Sequence, residues 1–298
     1  MELTATLVAD AKAMIGEGPS WDAEAGHLLW VDIQGKAAHV YNPSTNQDRT
    51  IPLPCEPGTI VPRSGGGATV ATDSGFAHLD LETGALAPIA NPEAANPERR
   101  FNDGKCDPRG RFWAGTLYQD LDRPVSEWDP IGVLYRLDGD GSVHSMLRGL
   151  TISNGLTWSP LGDTFYFIDS PTMQVRAFDF DTQTGSITNS RVAIEIAEDI
   201  GFPDGMTSDE EGMLWIAHFF GGQVTRWNPH TAEMIGRIQV PQGNVTSCVF
   251  GGENMDQLYI TTARILLDEQ QLKERPHAGG LYVASPGVKG VASHAFVG

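Results

Sequence analysis

Nowhere in this chain do about eighteen apolar residues follow one another, so it offers no membrane-spanning helix. The opening stretch, MELTATLVADAKAM, has neither a basic n-region nor a continuous apolar run, and a secretory signal is not expected. Cysteine is scarce: Cys55, Cys106 and Cys248 are odd in number and far apart. That excludes a disulfide framework and fits a reducing cytoplasm, the expected location. Positive charge is short as well, with 20 Lys and Arg against 38 Asp and Glu and a formal charge of −18. Such a balance argues against nucleic acid, which demands a basic face, and against anionic membranes. The eight histidines form no HxH or HExxH pair, and neither GxSxG nor GxxxxGK[ST] occurs. An α/β-hydrolase nucleophile and a phosphate-binding loop are therefore not indicated.

Long helices are also missing. Only RILLDEQQLKER, Arg264 to Arg275, has helix-forming composition; elsewhere 34 glycines and 19 prolines bound short aromatic or β-branched runs that read as strands. These runs repeat. An apolar strand recurs around Trp30, Val70, Trp113, Tyr166, Trp215 and Tyr259, at intervals of 40 to 53 residues. Six units of about four strands each predict an all-β fold, a six-bladed β-propeller with four-stranded antiparallel blades around a central channel. The whole chain, 1–298, is expected to form this one domain. Two stacked sandwiches would not call for so constant a period. The runs DGDG at Asp138 and DFDTQTG at Asp179 lack the late glutamate of a calcium loop and read as hairpin turns.

Ten to thirteen residues before each repeat anchor lies a second series: Glu17 in GEGPSW, Gly58 in CEPGTIV, Asn102 and Asp103 in RFNDGK, Asn154 in ISNGLTW, Asp204 in FPDGMTS, and Thr246 and Ser247 in NVTSCVF. In a propeller these positions converge on the axis from different blades. Four of the six hold a carboxylate or amide residue directly before glycine. Asp-Gly and Asn-Gly are strong turn dipeptides, but Glu-Gly is a weaker one, and turns need not share a register. Converged, Glu17, Asp103 and Asp204 repel one another unless a cation sits between them. An all-oxygen set suits calcium, magnesium or manganese, with zinc and iron(II) also admitted.

Two long insertions, Tyr118 to Gly132 and Arg264 to Gly280, fall between the second and third strands of blades three and six. Both should overhang the mouth where the carboxylates gather, as a lid or a specificity element.

The motifs GEGPSW, RFNDGKCDPRGRFWAGT, ISNGLTWSP, FPDGMTSDEEGMLWIA and TSCVFGG…LYITTAR, in this order, resemble the regucalcin (senescence marker protein) and gluconolactonase family, particularly its bacterial sugar lactonases. The resemblance spans nearly the whole chain. It implies a metal-dependent sugar lactonase that holds one divalent ion through Glu17, Asn154 and Asp204. It further implies substrate contacts from Arg100 and Asn102, with Asp103 as a supporting carboxylate. After AGT, where the mammalian pattern places an acidic pair, this chain has Tyr118, Gln119 and Asp120. These are the expected sugar-binding positions, and the departure bears on sugar preference. The expected reaction is hydrolysis of an aldonolactone, with Asp204 first and Asp103 second as general base. Three rival readings are a propeller used as an interaction scaffold, for which channel carboxylates would be unnecessary, a calcium-binding regulator without catalysis, and a propeller esterase or organophosphate hydrolase. The last needs a histidine dyad or a wide apolar mouth, and neither is evident in the sequence. No residue pattern assigns an oligomeric state.

Overall fold

Turn residues and alternating apolar positions set the strands, and tertiary packing arranges them. The computed structural model describes residues 1–118 and 123–298. Six antiparallel sheets follow one another around an axis, a six-bladed β-propeller. Their innermost strands are Gly16–Asp22, Pro57–Pro62, Arg99–Cys106, Ser153–Trp158, Phe202–Ser208 and Asn244–Gly251. Each packs against the inner strand of the next blade, and the last returns to the first, closing a ring.

The six repeat anchors all fall on second strands, where Trp30, Val70, Trp113, Tyr166, Trp215 and Tyr259 are buried between blades. Two of them share a polar tether. Trp113 Nε1 donates to Asp107 at 3.0 Å and Trp215 Nε1 to Asp209 at 2.9 Å, six residues upstream in both cases. The same carboxylates accept from Arg111 and Arg226, so each buried charge is paired and hydrogen-bonded.

The outer rim departs from a uniform four-strand count. Thr6–Ala9 pairs antiparallel with Leu281–Ala284 and supplies the outer strand of blade six. Glu2–Thr4 adds in parallel to Glu233–Gln239, making blade five five-stranded. At the far ends of the inner strands the C-terminal segment crosses the channel. Val291 N–H donates to Ser208 O at 3.1 Å and Phe296 N–H to Pro62 O at 2.8 Å, with the Phe296 ring buried. DGDG and DTQTG are hairpin turns, as expected.

Candidate active site

All six inner strands slip out of register with their second strands at one level. The irregularities lie at Glu17/Ser20, Pro57/Thr59, Phe101/Gly104, Ser153/Leu156, Pro203/Met206 and Val245/Ser247. The acidic-glycine and amide-glycine pairs are therefore β-bulges within the strands, not turns ahead of them. This corrects the reading from dipeptide preference. A bulge sets two residues against one and re-aims a side chain, and here it directs the residue before glycine toward the axis.

Glycine follows because the neighbouring blade is too close for a side chain. A Cβ on Gly155 would lie 2.4 Å from Asp204 O, one on Gly205 2.0 Å from Ser247 Oγ, and one on Gly58 2.4 Å from Phe101 O.

The structure brings Glu17, Asn102, Asp103, Asn154 and Asp204 together as buried side chains. Asn102 Nδ2 donates to Asn154 Oδ1 at 3.0 Å and to Ser153 O at 2.9 Å. Its own Oδ1 accepts from Arg100 Nη1 at 2.9 Å. Asn154 Nδ2 donates to Ser170 Oγ at 2.9 Å, which leaves its amide oxygen on the side that accepts from Asn102. Gly18 N–H donates to Glu17 Oε2 at 2.9 Å, and Gly104 N–H to Asp103 Oδ1 at 2.7 Å. Asp204 Oδ1 is buried and accepts no hydrogen bond.

The electrostatics follow from burial and crowding. Burial, then the Asp103 charge, hold the Glu17 carboxyl well above its ordinary range, while Gly18 N–H and Arg100 pull it back. Burial, then Glu17 and Asp103, do the same to Asp204. Burial pushes Asp103 up to about 6 against the pull of Lys105 and Gly104 N–H. Three acids that resist ionisation, one with an orphaned oxygen, form a site that a cation would complete. Among the described residues no three Asp, Glu, His or Cys side chains make a metal cluster alone. A cation held here would draw on the Asn154 amide as well, whose oxygen is of the hard type that suits such an ion.

Above this floor opens a cavity of about 180 Å³. Glu17, Arg100, Asn102, Asn154, Ser170 and Asp204 line it below, whereas Phe202, Phe219, Phe220, Trp128, Ile265 and Leu266 line it above. Val125 and Trp128 come from the blade-three insertion, Ile265 and Leu266 from the blade-six insertion, so both loops reach the mouth as expected. No histidine lines it among the described residues, but the mouth is apolar, which the sequence reading did not anticipate. Its three phenylalanines sit at or beside strand ends in blade five, Phe202 at the start of one and Phe219 at the end of another, and each looks ordinary in sequence. Asp103 lies behind the lining. Tyr118 lines a separate shallow hollow with Glu98, Asp129, Pro130 and Ile131, away from the carboxylates' cavity. Gln119 and Asp120 lie outside the described residues. Ser170, on the 3-10 turn Ser170–Thr172, is a lining residue that sequence reasoning missed. Nothing in its local sequence marks it, since its role arises from donating to Pro203 O at 2.7 Å across blades.

A six-bladed propeller with a carboxylate and amide floor under a small pocket is the frame of an axial-site enzyme or metal binder. The family described as SMP-30/Gluconolactonase/LRE-like region matches residues 15–264, and the chain belongs to that family. Regucalcin of Xenopus laevis is 39% identical over 285 residues, 95% of either chain. A relative from Bacillus subtilis (strain 168), YvrE, provisionally named a sugar lactone lactonase, is 38% identical, covering 95% of this chain and 94% of its own. The crystal structure of a calcium-binding regucalcin from Agrobacterium tumefaciens superposes with a TM-score of 0.91 at 26% identity, covering 100% of this chain and 98% of the other. A lactonase-type activity is the one this kinship supports in general terms.

Proposed function

We propose that the protein hydrolyses a sugar lactone to the corresponding aldonic acid, assisted by one divalent ion held by Glu17, Asn154 and Asp204. The observation that carries this reading is Asp204 Oδ1, buried without a hydrogen-bond partner at the floor of a substrate-sized cavity and beside a second buried carboxylate. When bound, such an ion supplies Lewis-acid polarisation of a carbonyl and neutralises the crowded acids. The chain's own residues do the rest. Arg100, tethered through Asn102 to Asn154 Oδ1, orients ring oxygens against the floor. Asp204 accepts a proton from the attacking water, with Asp103 behind it as the alternative base. The apolar walls exclude bulk water, which strengthens charge interactions at the floor.

A second reading, a calcium-binding protein without catalysis, is favoured by the regucalcin relatives and by the same carboxylates. One experiment separates the two. The protein is stripped with chelator and reloaded with calcium, magnesium, manganese, zinc or iron(II) in turn. Acid release is then followed on xylono-, arabinono-, galactono- and gluconolactones. Turnover that vanishes on stripping and returns with metal is the expected result. Equal turnover without metal would sink the metal assignment, and tight metal binding with no turnover would leave the binding protein.

A further inference from the structure

The proposed reading leaves unexplained why a pocket for a polyhydroxylated ring should have greasy walls. Phe202, Phe219 and Phe220 form an aromatic corner, with ring centroids 6.4 Å apart for Phe202–Phe220 and 4.6 Å for Phe219–Phe220. Leu266 and Ile265 line the same cavity from blade six. Three of these side chains are open to solvent, Phe202 at 38%, Phe220 at 57% and Leu266 at 61%. Exposed large apolar groups gathered at one mouth are uncommon on a folded chain and mark contact with an apolar partner. The backbone is bent to keep two of them there. Phe220 has φ 66° and Leu266 φ 62°, left-handed values that bulky residues rarely adopt and that usually fall to glycine or asparagine. A folded protein retains such strain only where the surrounding structure enforces it, and such positions cluster at ligand sites.

Hydroxyl groups set against these walls would lose water and gain no partner. A hydrocarbon chain or aryl ring would instead bury apolar surface on both sides. Among the described residues, the polar groups that could read an ester function lie on the floor, and the small cavity admits a single small molecule. Resting on the proposed lactonase reading, we infer that the same site also takes, beyond sugar lactones, lactones carrying an apolar substituent, alkyl or aryl, which packs against Phe202, Phe219, Phe220, Ile265 and Leu266 while the ring faces Arg100 and Asn102.

The test uses the metal-loaded protein and a series of γ-lactones whose alkyl chain lengthens from methyl to pentyl, alongside galactono- and xylonolactone. Release of acid gives kcat/KM for each. The expected result is a rise of about fourfold for each added methylene until the pocket is full, with the longer members above the aldonolactones. Phe220→Asn places at this backbone position a polar residue that adopts φ > 0 more readily, so the fold should be kept, which a thermal melt checks. It should flatten the dependence on chain length, and that slope is the readout. A flat or falling dependence with brisk turnover of aldonolactones would overturn the inference and leave the lactonase reading standing. Failure to hydrolyse any lactone of either kind would overturn both.

Discussion

Asp204 carries the sharpest test of the site at the scale of one residue. Its carboxyl is held well above its ordinary range by burial and by Glu17 and Asp103, so in metal-free protein it is a liability. Asp204→Asn keeps the shape and removes the charge. The expected outcome is loss of metal affinity and activity together, read by calorimetric titration and turnover, while the stripped variant melts higher than the stripped parent. A gain of the order of 1 kcal/mol or more is the scale for relieving a buried like-charge contact. A variant that kept metal would overturn the assignment. His218 gives a separate pH prediction. Burial lowers its pKa from 6.5 to about 4, while Gly201 O pulls the other way; its Nε2 lies 2.6 Å from Thr225 Oγ1. Between those pH values the unfolded chain binds a proton that the folded form refuses. Stability therefore falls as pH drops from about 6.5 to about 4, by about 3 kcal/mol in all. Urea unfolding at pH 7 and pH 4.5 should show this drop in the parent and a smaller one in His218→Gln. Residue types were legible at this scale: Glu17, Asn154 and Asp204 each stood out as an oxygen donor before glycine. Ser170 and the aromatic corner were not, because they acquire meaning only from neighbours in other blades.

At the scale of the strand, the bulge is the working unit. Gly155→Ala would set a methyl group 2.4 Å from the backbone oxygen of Asp204, an atom that cannot swing aside. Overpacking of this kind costs about 1–3 kcal/mol, and here the strain also pushes on a proposed ligand. Chemical denaturation should show that loss, and metal affinity should weaken with it although no ligand has been altered. Unchanged affinity would mean that blade spacing does not position Asp204. The sequence showed the periodic acidic-glycine and amide-glycine pairs but not their geometry. Asp-Gly is favoured in turns for its backbone freedom, and a bulge uses that same freedom, so local preference could not choose between them. Interstrand register decided it.

For the whole molecule, the six repeats were readable from the spacing of five aromatic anchors and Val70, whereas ring closure was not. Pairing between Thr6–Ala9 and Leu281–Ala284 joins opposite ends of the chain, and such pairing leaves no local pattern. Removing residues 1–9 should strip blade six of its outer strand and blade five of its fifth, exposing the edge of Leu281–Ala284. Circular dichroism and gel filtration are expected to report unfolded or aggregated protein, whereas removing residues 1–4 should cost far less. Equal stability of the two truncations would show that the seam does not depend on the first of these pairings.

That seam also sets an order of events during synthesis. The strand Thr6–Ala9, made early, cannot find its partner until nearly all of the remaining chain has followed, because its mate begins at Leu281. Five blades can assemble one after another from neighbouring segments, but the circle can be sealed only at the end, across the longest loop the chain possesses. The nascent protein thus waits as an open arc with the axial acids incompletely gathered, and uptake of the proposed ion should emerge last and all at once.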